Sequence, residues 1–88
     1  NTDGNSIKAK VLVLHGWDDL MVPPTDVVAL AEELTSGSAD WQVHGYGNTL
    51  HAFTNPEANA PETGAMYQAD ADRRSWQAME NFLAEVLA

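Results

Sequence analysis

The chain has no cysteine, which excludes disulfides, a thiolate nucleophile and any cysteine-based zinc site, and leaves the redox compartment open. Positive charge is almost as scarce. Lys and Arg number four against thirteen Asp and Glu, a net charge of −9. The four cations (Lys8, Lys10, Arg73 and Arg74) fall in two separate pairs, so no basic stripe exists to neutralise phosphates. Neither nucleic acid nor an anionic membrane surface is therefore an expected partner. Long apolar runs are missing too: nothing approaches the ~18 residues of a membrane-spanning helix. Residues 1–6 are polar and do not read as a signal peptide. A soluble, cytoplasmic protein is the expectation.

What is present belongs to a folded chain. Apolar residues make up 44%, with three Trp, two Tyr and two Phe, enough to form a core. With 88 residues the chain can make one domain at most, near the lower size at which a single core outweighs ~1–2 kcal/mol of conformational entropy per ordered residue. Residues 1–88 are read as one unit, with 1–7 as a frayed lead-in.

The order of elements is legible from periodicity. Val11-Leu12-Val13-Leu14 is a short continuous apolar run, as in a parallel strand buried on both faces. Pro23-Pro24-Thr25-Asp26 is a helix start, because proline tolerates the first turn and an acid there complements the dipole. Val27, Leu30, Ala31 and Leu34 then recur at helical spacing, and Gly37 reads as the stop. Residues 41–46 form a second strand, in which Gly45 is unfavourable. The stretch from Phe53 to Met66, rich in Asn, Pro and Gly, shows no period and is expected to be a long loop. From Asp70 or Asp72, the residues Trp76, Met79, Phe82, Leu83, Val86 and Leu87 mark an amphipathic helix to the end, with Trp41, Trp76, Met79 and Phe82 expected in the core.

This β-α-β-α order implies an α/β fold with two parallel strands joined by a crossover helix. Such a sheet leaves both outer strand edges open, so it is expected either to be cut from a larger sheet or to pair with another chain.

Two strings carry chemistry. In Leu14-His15-Gly16-Trp17-Asp18-Asp19-Leu20-Met21-Val22-Pro23, an apolar strand ends in Gly, an acid follows three residues later, and Val-Pro opens a helix. This resembles the acid loop of α/β-hydrolases, and by that spacing Asp19 matches the catalytic acid, with Asp18 as its neighbour. In Leu50-His51-Ala52-Phe53-Thr54-Asn55-Pro56, a His-Ala-Phe string follows the second strand. It is similar to the histidine loop of the dienelactone hydrolase branch, as is Asp72-Arg73-Arg74-Ser75-Trp76 at the last helix. The resemblance runs over residues 10–88, nearly the whole chain, and three motifs in order are more specific than one.

The resemblance implies a partial α/β-hydrolase sheet in which His51 is the general base and Asp19 its orienting partner. It also implies hydrolysis of a small ester or lactone substrate with no metal or organic cofactor. That branch carries its nucleophile in a Gly-x-Cys/Ser-x-Gly turn upstream, and none of Ser6, Ser36, Ser38 and Ser75 sits in such a turn. The chain therefore reads as a C-terminal portion holding two thirds of a triad, inactive alone. Its expected partner is a nucleophile-bearing N-terminal hydrolase part. The rival reading is a truncated, non-enzymatic protein that self-associates through its open sheet edges. Taken without the resemblance, Asp19 is a cap or turn residue, and His15 and His44 are structural. The three histidines show no spacing that suggests a metal site.

Overall fold

The computed structural model describes residues 7–88; the lead-in expected over residues 1–6 lies outside them. The seventh lead-in residue, Ile7, is tied down, donating its amide to the Gly37 carbonyl at 2.7 Å.

The first strand, β1 (Lys10–Gly16), pairs in parallel with β2 (Asp40–Tyr46) in unbroken register from Lys10 opposite Asp40 to Gly16 opposite Tyr46. The helix α1 (Pro24–Ser36) connects them. It begins where the two prolines require: Pro23 is extended, Pro24 occupies the first turn, and Asp26 donates its amide to the Pro23 carbonyl at 2.9 Å. Val27 and Leu34 are buried, whereas Leu30, expected on the same face, is exposed. Gly37 caps the helix at a negative φ, and the left-handed residue of the exit is Ser38, at φ 59°.

The stretch expected to be a structureless loop holds a small antiparallel ladder, β3 (Asn59–Ala60) with β4 (Ala65–Met66), joined by a single 3₁₀ turn at Pro61–Thr63. Two-residue strands are too short to display a period, which is why the sequence gives no sign of them. The last helix, α2 (Ala69–Val86), starts one residue before Asp70 because the Gln68 side chain caps it, accepting the amides of Asp70 at 2.7 Å and Ala71 at 3.1 Å. α1 packs against β2, and α2 against β1.

The core is small. Val27, Leu34, Phe53 and Ala71 are its buried apolar residues, joined by the buried polar side chains of His15, Asp19, Thr49 and Ser75. Two expectations fail here. Residues 11–14 of β1 are half-buried, not buried on both faces, because among the described residues β2 is the only strand beside β1. Of the residues expected in the core, Trp76 is 54% exposed and Trp41, Met79 and Phe82 are only half-buried, because among the described residues only a two-stranded sheet lies against the two helices. Among the described residues no helix is long and apolar enough to cross a membrane.

Candidate active site

The site is built where the two parallel strands end. Beyond β1 the pairing continues for two more bonds, from Trp17 N–H to the Tyr46 carbonyl at 2.8 Å and from Asp18 N–H to the Thr49 carbonyl at 3.0 Å. The chain leaving β2 therefore crosses directly over the end of β1. Gly16 makes that crossing possible, since a Cβ there would stand 2.6 Å from the Leu50 carbonyl oxygen and 2.7 Å from that of Thr49. Thr49, at the crossing, is fully buried and donates its hydroxyl to the Gly47 carbonyl at 2.8 Å. The next residues, 50 and 51, are thereby carried beside the loop after β1.

That loop is wound around one carboxylate. Asp19 closes a turn with its amide on the Gly16 carbonyl at 3.0 Å. Its Oδ1 accepts the amides of Met21 at 2.8 Å and Val22 at 3.0 Å, which leaves Oδ2 for a partner outside the loop. His51 supplies it, donating from Nδ1 to Oδ2 at 2.9 Å. Asp19 is only 7% exposed. Burial alone would push its pKa up, but the hydrogen bonds from His51, Val22 and Met21 together outweigh that and hold the carboxyl below its usual value. Asp18 is exposed and makes no such contact, so the register from the strand end selects Asp19.

His51 is fixed through its backbone. Its amide donates to the Gly64 carbonyl at 3.0 Å and its carbonyl accepts the Met66 amide at 3.1 Å, so the short ladder missed in the sequence is the frame that holds the histidine. Ala52, which follows, stands at φ 59°, a left-handed conformation uncommon for alanine that is found where a chain must turn sharply near a functional group. Phe53 then buries its ring against Tyr46, centroid to centroid 5.8 Å. With Nδ1 committed to Asp19, Nε2 of His51 is left as a lone pair able to take a proton.

Both residues line a cavity of about 550 Å³ with largely apolar walls from Val13, Leu14, Phe53, Trp76 and Met79. His15, read from the sequence as structural, and Ser75, read as outside any nucleophile turn, also line it. The Ser75 hydroxyl donates back to the Asp72 carbonyl at 3.0 Å, and among the described residues no hydroxyl is hydrogen-bonded to Nε2 of His51. His44 lies half-buried within β2, away from the pair. Among the described residues no three His, Asp or Glu side chains group as a metal site requires.

Comparison with known proteins gives this geometry its setting. The family model described as "Dienelactone hydrolase family" matches residues 1–87. An uncharacterized protein of Caenorhabditis elegans is 38% identical over 87 residues, 98% of this chain and 52% of that protein. Among solved structures, a dienelactone-hydrolase-like promiscuous phosphotriesterase from metagenomic libraries superposes with a TM-score of 0.84 at 41% identity, covering 91% of this chain and 34% of that one. A second, m3DLH, gives 0.82 at 40% identity with the same coverage. The chain thus spans about half the length of the curated relative and a third of the solved ones, and its parallel strands and two helices are part of an α/β-hydrolase fold.

Proposed function

Because the chain belongs to the dienelactone hydrolase family, we propose that it contributes the acid and general base of a hydrolytic site for small esters or lactones. The observation that carries this reading is the Asp19 carboxylate, held by two amides on one oxygen and by His51 Nδ1 on the other. A carboxylate so placed fixes the Nδ1–H tautomer and stabilises the imidazolium that forms when Nε2 takes a proton. In such a site a hydroxyl or thiol gives its proton to His51 Nε2 as it attacks the acyl carbon, and the protonated ring returns that proton to the leaving oxygen. No described hydroxyl is placed to be that nucleophile, so it comes from outside these residues, in a hydrolase part that also supplies the oxyanion hole. The cavity's apolar walls suit a small uncharged acyl group, and no metal or organic cofactor has a step to perform. One solved relative is named a promiscuous phosphotriesterase, which makes a phosphotriester a reasonable second probe.

The chain alone is then inactive. Loss of the nucleophile by itself removes roughly 10⁶-fold of the acceleration in a well-studied serine protease. The test is an assay of a small activated ester and a phosphotriester against the purified chain and its His51→Ala variant, with mass spectrometry for an acyl adduct. Turnover no faster than free imidazole is the expected result; fast turnover lost in His51→Ala contradicts the external nucleophile. A second reading, a non-enzymatic protein that self-associates, draws on the exposed Trp76 and Leu83 and on the edge of β1 that is open among the described residues.

A further inference from the structure

His15 stands at the end of β1, 5% exposed, in the wall of the same cavity as Asp19 and His51. Among the described residues it is hydrogen-bonded to neither of them. Its Nε2 donates instead to the Val22 carbonyl at 2.6 Å, and the Trp17 ring stands T-shaped to its own at a centroid distance of 5.7 Å and an interplanar angle of 79°. The other ring nitrogen, Nδ1, is buried with no hydrogen-bond partner among the described residues. A buried imidazole with one nitrogen unsatisfied is a poor choice for core stability alone, since burying polar atoms without partners is costly and an apolar ring of the same shape avoids that cost.

The bond to Val22 shows what the ring contributes. Val22 is the last residue of the acid loop. Its amide donates to Asp19 Oδ1 at 3.0 Å, its carbonyl receives His15, and Pro23 and Pro24 after it open α1. Proline offers no amide, so the Val22–Pro23 peptide has no donor with which to anchor itself in the loop. His15 supplies that anchor from the strand.

We propose that His15 is a positioning residue for the acid loop: by gripping the Val22 carbonyl from the rigid end of β1, it holds the Val22 amide on Asp19 Oδ1 and thereby aims Oδ2 at His51. The linkage runs His15 Nε2–H to Val22, Val22 N–H to Asp19, and Asp19 to His51 Nδ1–H. It ties the base of the site to the strand through two loop residues, Val22 and Asp19. This deepens the reading of Asp19 and His51 as an acid–base pair and rests on it.

The experiment is nuclear magnetic resonance on the chain itself, following the ring nitrogens of His15 and His51 and the titration of the Asp19 carboxyl carbon. In the wild type, His15 is expected as the Nε2–H tautomer, His51 as Nδ1–H, and Asp19 titrating below 3.8, its ordinary value. His15→Phe keeps an aromatic ring and removes the donor; the Asp19 titration is then expected to move up toward 3.8 and the His51 tautomer to become mixed, while the amide pattern of β1 and β2 is retained. His15→Gln, which restores an N–H donor, is expected to recover both signals. A folded His15→Phe with Asp19 and His51 unmoved overturns the proposal. If His15→Phe does not fold, the wild type decides: His15 as the Nδ1–H tautomer overturns the proposal, and Nε2–H together with recovery in His15→Gln upholds it. Absence of the Asp19 to His51 bond in the wild type overturns the acid–base reading as well, whereas its presence with no response to His15→Phe overturns this inference alone.

Discussion

Asp19 divides its two oxygens between two tasks, one closing its own loop and the other orienting His51. Its folded pKa lies below the unfolded value of 3.8, so the charged form is the one that the fold favours. The stability it contributes is complete above 3.8 and is lost as pH falls through the folded value. Acid unfolding followed by tryptophan fluorescence is expected to show the wild type losing stability in that range and Asp19→Asn losing less; equal losses would mean that the carboxylate is not so held. Gly16 is the second critical residue. Gly16→Ala forces a methyl group against two backbone carbonyls, an overpacking expected to cost about 1–3 kcal/mol and to loosen the crossing that delivers His51. Urea denaturation measures it, and unchanged stability contradicts the crossing. Asp19 and His51 were legible in the sequence because each follows a strand within a recognisable string. The turn at Ala52 was not, because alanine does not announce a left-handed conformation. Nor was the link from His15 to Val22, which depends on how a loop folds back on its strand.

At the scale of elements, legibility follows length and punctuation. The bounds of α1 could be read because two prolines fix its start, and β2 survives its glycine because the Trp17 ring packs where a Gly45 Cβ would stand, 2.9 Å from Cε3. The ladder of β3 and β4 stayed hidden for want of period, yet its second strand and the residue before it bind both the carbonyl and the amide of His51, through Met66 and Gly64. The start of α2, expected at Asp70 or Asp72, lies one or three residues earlier, at Ala69, because glutamine is not among the usual capping residues. Gln68→Ala removes the acceptor of two amides and is expected to lower stability by about 1 kcal/mol, with reduced helix content by circular dichroism. A variant as stable and helical as the wild type would show the cap to be incidental.

For the molecule as described, the apolar content outruns what a two-stranded parallel sheet, a short second ladder and two helices can bury. Trp76 and Leu83 on α2 and Leu87 just after it remain exposed, Leu87 at 78%, and β1 has one open edge among the described residues. Surfaces of this kind are covered by other protein in stable assemblies. Light scattering is accordingly expected to give the isolated chain a mass above that of a monomer, and Leu87→Glu, at a residue 78% exposed, to reduce it while changing stability by less than about 0.5 kcal/mol, as for other exposed sites. A monomeric wild type would remove the case for self-association and leave the hydrolase reading untouched.

That reading, an acid–base pair served by a nucleophile from elsewhere, is tested most directly by transplantation. Residues 7–88 would replace the matching third of the dienelactone-hydrolase-like phosphotriesterase that shares 41% identity with the chain, and kcat for a small ester would be measured on the chimera and on its Asp19→Asn and His51→Ala variants. A folded chimera that hydrolyses the ester, with kcat falling by roughly 10⁴-fold in Asp19→Asn and by roughly 10⁶-fold in His51→Ala, is the outcome expected if the 2.9 Å pair is the working acid and base. A folded chimera that is inactive, or one whose activity survives the loss of His51 or of the Asp19 charge, would contradict it.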